Sequence, residues 1–189
     1  MSPLFPALRR FDREASIVGY LLTGYTAIEY QLCLAAGMGG GDVEKAITEM
    51  FSRRIGETRR VQLGNRLGAA GYATAGLRQE FEKAIEDVLL CVTIRNQYAH
   101  CIWHDDASGQ LAFAHMEEIA ASNGLGADPI NLTFQHVDLA LLEEQANFFF
   151  YVKDNINYLN YKRRQLAGEI GAGAQLRVPV VVPRPRLHL

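Results

Sequence analysis

The stretch Arg95-Asn96-Gln97-Tyr98-Ala99-His100 concentrates side chains that can do chemistry. Histidine gives and takes protons near neutral pH. Arginine presents a fixed fork of donors to phosphate oxygens and offsets the charge that grows on them during displacement. Asparagine can hold an imidazole or a phosphate in place. Arg95, Asn96 and His100 together suit phosphodiester cleavage. In RNA the attacking group is the neighbouring 2′-hydroxyl, a step that requires no metal. The chain offers no evident metal cluster, and neither a metal nor another cofactor is expected.

The element carrying these residues must bring them to one place. An apolar stripe at 81, 85, 88 and 92 predicts a helix over residues 74–98, and its arithmetic continues to 95 and 99. Arg95 therefore falls where a core residue should be, which is costly unless it is paired or faces a cavity. Asn96 and His100 share a helical face, whereas Arg95 and His100 lie about 140° apart on an ideal helix. They converge only if the helix ends near His100 or if a second subunit completes the site. A structural reading stands beside the catalytic one: Arg95 pairs with a buried acid and His100 caps the helix C-terminus.

Arg95-Asn96-x-x-x-His100, inside RNQYAH near the end of a helix, resembles the R-x(4–6)-H signature of the HEPN superfamily, including the polar residue after the arginine. The resemblance implies an all-α bundle that dimerises. It also implies a metal-independent endoribonuclease whose composite site joins the motif from two subunits, as in toxin–antitoxin, phage-defence and RNA-processing systems. Arg95, Asn96 and His100 would inherit the catalytic roles, RNA would be the substrate, and an antitoxin or other protein could be a partner. The alternative is a non-catalytic HEPN-like module that binds a nucleotide, RNA or a protein. Two features depart from the pattern. β-type residues follow the motif, and the motif closes the third helix, whereas many members carry it at the start of the last.

Other residues bear on the site. Glu29 is placed to orient it through Arg95 or Arg54, or to make a plain salt bridge. Arg54, Arg59 and Arg60, with Arg53 and Arg66, form either an RNA-backbone rail or a solvated face. Tyr98 could stack on a base or pack in the core, and His104 lies beside Trp103 on a candidate strand. Cys91 and Cys101 have no base arranged to make either a nucleophile.

The rest of the chain supplies the scaffold. Its 189 residues suffice for one domain, and 49 % apolar against 21 % charged residues predict a packed core. Three widely spaced cysteines exclude a disulfide framework and point to a reducing compartment. No apolar run is long enough to span a bilayer, and the first residues lack a signal-peptide stretch, so a cytoplasmic location and no membrane partner are expected. A net charge of −2 disfavours a non-specific DNA coat, although 15 of the 19 basic residues are arginine.

Helices are predicted over 9–37, 42–52, 74–98 and 138–166. The glycines at 37–41 end the first, Asp42 caps the second, and a turn falls at 68–71. A hairpin is expected at 101–104 and 110–115, a polar loop at 117–128, and a further short strand at 130–134. The expected architecture is mainly α: an up-down four-helix bundle with a small β hairpin inserted before the last helix. Residues 1–167 form the domain and 168–189 a Gly/Pro-rich flexible or extended tail, whose Val-Pro run could lie against a partner. Four consecutive aromatics, Phe148 to Tyr151, surround one helical turn and suggest a contact with the β insertion or a homodimer interface.

Overall fold

A computed structural model describes residues 6–52, 55–117, 120 and 133–189. Among these the chain is mainly helical, with one small antiparallel sheet. The helices are α1 (Pro6–Arg10), α2 (Asp12–Gly40), α3 (Val43–Met50), α4 (Glu57–Thr74), α5 (Arg78–Ala99) and α6 (Leu139–Leu166). The strands are β1 (Cys101–His104), β2 (Leu111–His115) and β3 (Gln135–Val137), in the order β1-β2-β3. No described helix is long and apolar enough to cross a membrane.

The chain forms two compact units. One comprises residues up to Thr23, Thr93–Asn147 and Arg184–Leu189; the other comprises Gly24–Val92 and Phe148–Pro183. The first holds the sheet. Trp103 faces Phe113 across β1 and β2, and Ala112 faces His136 across β2 and β3. Leu111 to Ala114 are all buried, so the middle strand is covered on both faces. The connection from β1 to β2 is built by Asp105 and Asp106, whose carboxylates accept from the backbone of Ala107 and Ser108. Ala107 and Gly109 take positive φ there, at 64° and 87°.

The second unit is helical, and glycine sets its spacing. A Cβ on Gly71 would stand 2.0 Å from the carbonyl oxygen of Gly39, and one on Gly39 would stand 2.9 Å from that of Gly68. α2 and α4 thus meet backbone to backbone. The first helix does end within the glycine run, three residues later than expected: it continues to Gly40 and stops at Gly41, in the left-handed conformation at φ +78°. One expectation is corrected. Residues 68–71 are not a turn but the interior of α4. Ring stacking of Tyr72 on Phe81, at 3.9 Å between centroids, fills the space alongside.

Several local signals appear as read. Asp42 caps α3 by accepting from the Lys45 amide, and Asp138 accepts from the Leu141 amide at the start of α6. The hairpin lies at the expected residues. The further strand occupies Gln135–Val137, downstream of the predicted 130–134, of which 130–132 lie outside the described residues. Within the expected loop, Glu117 and Ala120 are helical; 118–119 and 121–128 lie outside the described residues. Phe148, Phe149 and Tyr151 are buried, and Phe150 is exposed.

After Gly168 the chain turns back. The Arg163 guanidinium donates to both Glu169 carboxylate oxygens at 2.8 Å, and the Gln165 amide donates to the carbonyls of Ala172 and Ala174. Residues 174–186 are neither helix nor strand. At the far end, within the first unit, Gln97 donates to the Leu187 carbonyl at 2.8 Å. Gln145 donates to the carbonyls of Arg186 and Leu187, and the Leu189 amide donates to the carbonyl of His136.

Candidate functional site

α5 ends at Ala99, and β1 begins at Cys101. His100 is the single residue between them. Its amide still completes the helical ladder to the Asn96 carbonyl, while its own carbonyl accepts from the Met116 amide beside the sheet. The side chain is exposed at this changeover from helix to strand. The helix thus ends at His100, one of the two conditions under which Arg95 and His100 were expected to converge.

Arg95 and Asn96 are both half-buried, and Arg95 Nη1 donates to Asn96 Oδ1 at 2.9 Å. The arginine is not at the centre of the apolar face. Along α5 the predicted stripe 81, 85, 88 and 92 is buried, together with 84, 87 and 91; beyond it Ile94, Gln97 and Tyr98 are buried where 95 and 99 were expected. Beyond residue 93 the helix belongs to the unit containing the sheet, and new neighbours set its buried face. Arg95 sits at the margin of that face, with its charged end near polar groups.

Tyr98 is 2 % exposed. Its hydroxyl donates to Gln145 Oε1 at 2.6 Å, and its ring packs on Trp103 and Phe113. Burial raises its pKa. A ring enclosed in this way leaves no face for a base, so Tyr98 supports the end of α5 from within. His104 is exposed, and its ring stacks on Phe134 at 4.9 Å. His136 contacts the Asp106 carboxylate at 2.7 Å. Asp106 lies well below the usual carboxylate range because Ser108 and then His136 hydrogen-bond to it.

Within the basic stretch, Arg60 is held by Glu29. Arg60 Nη1 donates to both oxygens of Glu29, at 2.6 and 2.8 Å, and Nη2 reaches the Ile55 carbonyl. The two side chains are only 18 % and 7 % exposed. Glu29 thus makes the plain salt bridge that stood beside the orienting role through Arg95 or Arg54, and Arg60 is withdrawn from any open rail. The physical reason is burial: a carboxylate this deep in α2 must be matched by the cation that α4 presents within the same unit. Arg59 and Arg66 are exposed. Arg53 and Arg54 lie outside the described residues.

Sequence reasoning missed the two buried glutamines, Gln97 at 6 % and Gln145 at 0 % exposure. Gln97 lay inside the highlighted hexapeptide, and a polar residue between Asn96 and Tyr98 was the only local signal. Cys33 and Cys91 are fully buried and Cys101 half-buried; burial pushes the Cys101 thiol up to about 12 and Cys33 to about 11. Among the described residues no three His, Cys, Asp or Glu side chains are grouped to hold a metal ion. No protein-family model, curated protein or solved structure matches the chain.

Proposed function

We propose that this chain is a metal-independent endoribonuclease of the HEPN type, acting as a homodimer on single-stranded or looped RNA. The observation that carries the reading is the end of α5, where an exposed His100 stands four residues beyond Asn96 of the hydrogen-bonded pair Arg95–Asn96. The helical scaffold is taken as an elaborated form of the up-down four-helix bundle of such domains, with the three-stranded sheet added after the motif.

The chemistry follows from the side chains. An imidazole of His100 removes the proton of a 2′-hydroxyl as O2′ attacks phosphorus. The P–O5′ bond breaks, and an imidazolium, supplied at a composite site by the second copy, returns a proton to O5′. The products are a 2′,3′-cyclic phosphate and a 5′-hydroxyl. Arg95 supports the charge on the non-bridging oxygens, and Asn96 fixes the direction of its guanidinium through the 2.9 Å bond. Among the described residues of the basic stretch, the exposed Arg59 and Arg66 serve the RNA backbone. The work of such an enzyme fits a toxin, defence or RNA-processing role in the cytoplasm, restrained by an antitoxin or another protein.

One observation favours the second reading, a non-catalytic HEPN-like module that binds nucleotide, RNA or a protein. Arg60 is committed to Glu29, so the basic stretch offers fewer cations than its sequence suggests. Incubating the full chain with RNA in excess EDTA separates the two. Cleavage that persists under chelation, leaves cyclic phosphate ends and disappears in His100→Ala at unchanged helicity supports the enzyme. Binding without cleavage, or equal cleavage by the variant, removes His100 from catalysis.

A further inference from the structure

The Val-Pro run of the tail carries three exposed valines, while Leu176, Pro179 and Val182 are half-buried. Glu169 and residues 172–174 are tied to Arg163 and Gln165, and the Arg186 and Leu187 carbonyls to Gln97 and Gln145. From residue 176 to residue 183 the backbone makes no hydrogen bond to any described residue. Val178, Val180 and Val181 are 65 %, 82 % and 69 % exposed. Apolar, β-branched residues with bare amides and carbonyls are a template for strand pairing.

The positions of proline decide how such pairing can occur. In a strand, the amide and carbonyl of alternate residues face the same edge. Pro179, Pro183 and Pro185 all fall on the odd-numbered edge, where their missing donors spoil a ladder. Val178, Val180 and Val182 fall on the even-numbered edge and keep their amides. One edge can pair, so the segment accepts one neighbour.

Charge selects that neighbour's direction. Parallel, in-register pairing of two copies would set Arg177, Arg184 and Arg186 each beside itself, which is unfavourable. Antiparallel pairing centred on Val180 sets Arg177 opposite Pro183 and Arg184 opposite Leu176, so no arginine faces another. The same register matches Val178 with Val182 and Val180 with Val180, placing every valine donor on the competent edge opposite a valine carbonyl.

We propose that residues 178–182 pair, antiparallel and centred on Val180, with the same residues of a second copy of this chain. The pairing is independent of whether the chain cleaves RNA.

The test is sedimentation equilibrium of the full chain and of two proline variants. Val180→Pro removes the central pair of amides, and Val181→Pro alters only the outward edge. Both sites are exposed, so circular dichroism should be unchanged. The expected result is a dimer that Val180→Pro weakens by about tenfold or more, with Val181→Pro close to the parent. A monomeric parent, or equal dimerisation by Val180→Pro and the parent, or equal weakening by the two prolines, overturns the proposal. RNA cleavage plays no part in the readout, so its presence or absence tests the proposed activity separately.

Discussion

Arg95 Nη1 lies 2.9 Å from Asn96 Oδ1, a hydrogen bond between chain neighbours at the last full turn of α5. Adjacent residues on a helix point about 100° apart, so the bond draws the guanidinium round toward the side from which residue 100 leaves the helix.

If that bond aims the arginine, Asn96→Ala should lower RNA cleavage less than His100→Ala does. Removing a general acid or base costs about a hundredfold to ten-thousandfold. His100→Ala should fall in that range, and Arg95→Lys should also lose activity because an ammonium lacks the planar fork. Initial rates in EDTA, normalised to helicity, provide the measurement. An Arg95→Lys variant as fast as the parent would refute the phosphate-holding role.

The Glu29–Arg60 pair should matter to stability and not to cleavage. Removing one partner leaves a charge in a site where the side chains are only 7 % and 18 % exposed. Glu29→Ala should therefore cost about 3 kcal/mol of unfolding free energy, read from the urea midpoint. Activity per folded molecule should stay at the parent level, and a large loss there would restore the site-orienting role.

Two glycine substitutions should act in opposite directions. Gly71→Ala places a methyl 2.0 Å from the Gly39 oxygen and must force α2 and α4 apart, costing about 3 kcal/mol or more. Gly19→Ala, in exposed helix with nothing within 4 Å of the new carbon, should stabilise by about 0.5–1 kcal/mol. Thermal melts of the two variants check the contrast.

Alkaline conditions should destabilise the fold from about pH 9. The Cys101 thiol is pushed up to about 12 and Cys33 to about 11, and burial also raises Tyr25, Tyr72 and Tyr98. An unfolded thiol loses its proton near pH 8.5, so above that pH the unfolded state binds fewer protons and stability falls as pH rises. The carboxylates of Asp105 and Asp106 are lowered, by hydrogen bonds from Arg10 and from Ser108 and His136. Their contribution is present above the ordinary carboxylate range and is lost as pH falls. Melting temperature against pH should show both flanks, and a flat profile from pH 8 to 11 would contradict the alkaline one.

Capping and turn chemistry were legible because they are local. Asp42, Asp138 and the Asp105–Gly109 connection each act within a few residues, and each lies where the sequence indicated. The glycines at 68–71 were misread because glycine has two uses. At 37–40 and 68–71 it permits close helix contact, which depends on a partner helix that no local window contains. Arg95 was assigned to the core by continuing one stripe along α5, but the helix changes neighbours near residue 93 and its buried face moves to Ile94 and Tyr98. The withdrawal of Arg60 by Glu29 was likewise hidden, since 31 residues separate them. The helix end at His100 was anticipated as a condition for the site, and β-type residues downstream were its signal.

The sheet-bearing unit is assembled from the first, middle and last stretches of the sequence. Gln145, with no exposed surface, finds its carbonyl partners at Arg186 and Leu187. During translation those partners emerge after the residues they join. The helical unit lacks that dependence on residues 184–189, so the nascent chain should settle there first. The interior around Gln145 would close later, delaying maturation of the neighbouring RNQYAH segment until residues 186 and 187 have emerged.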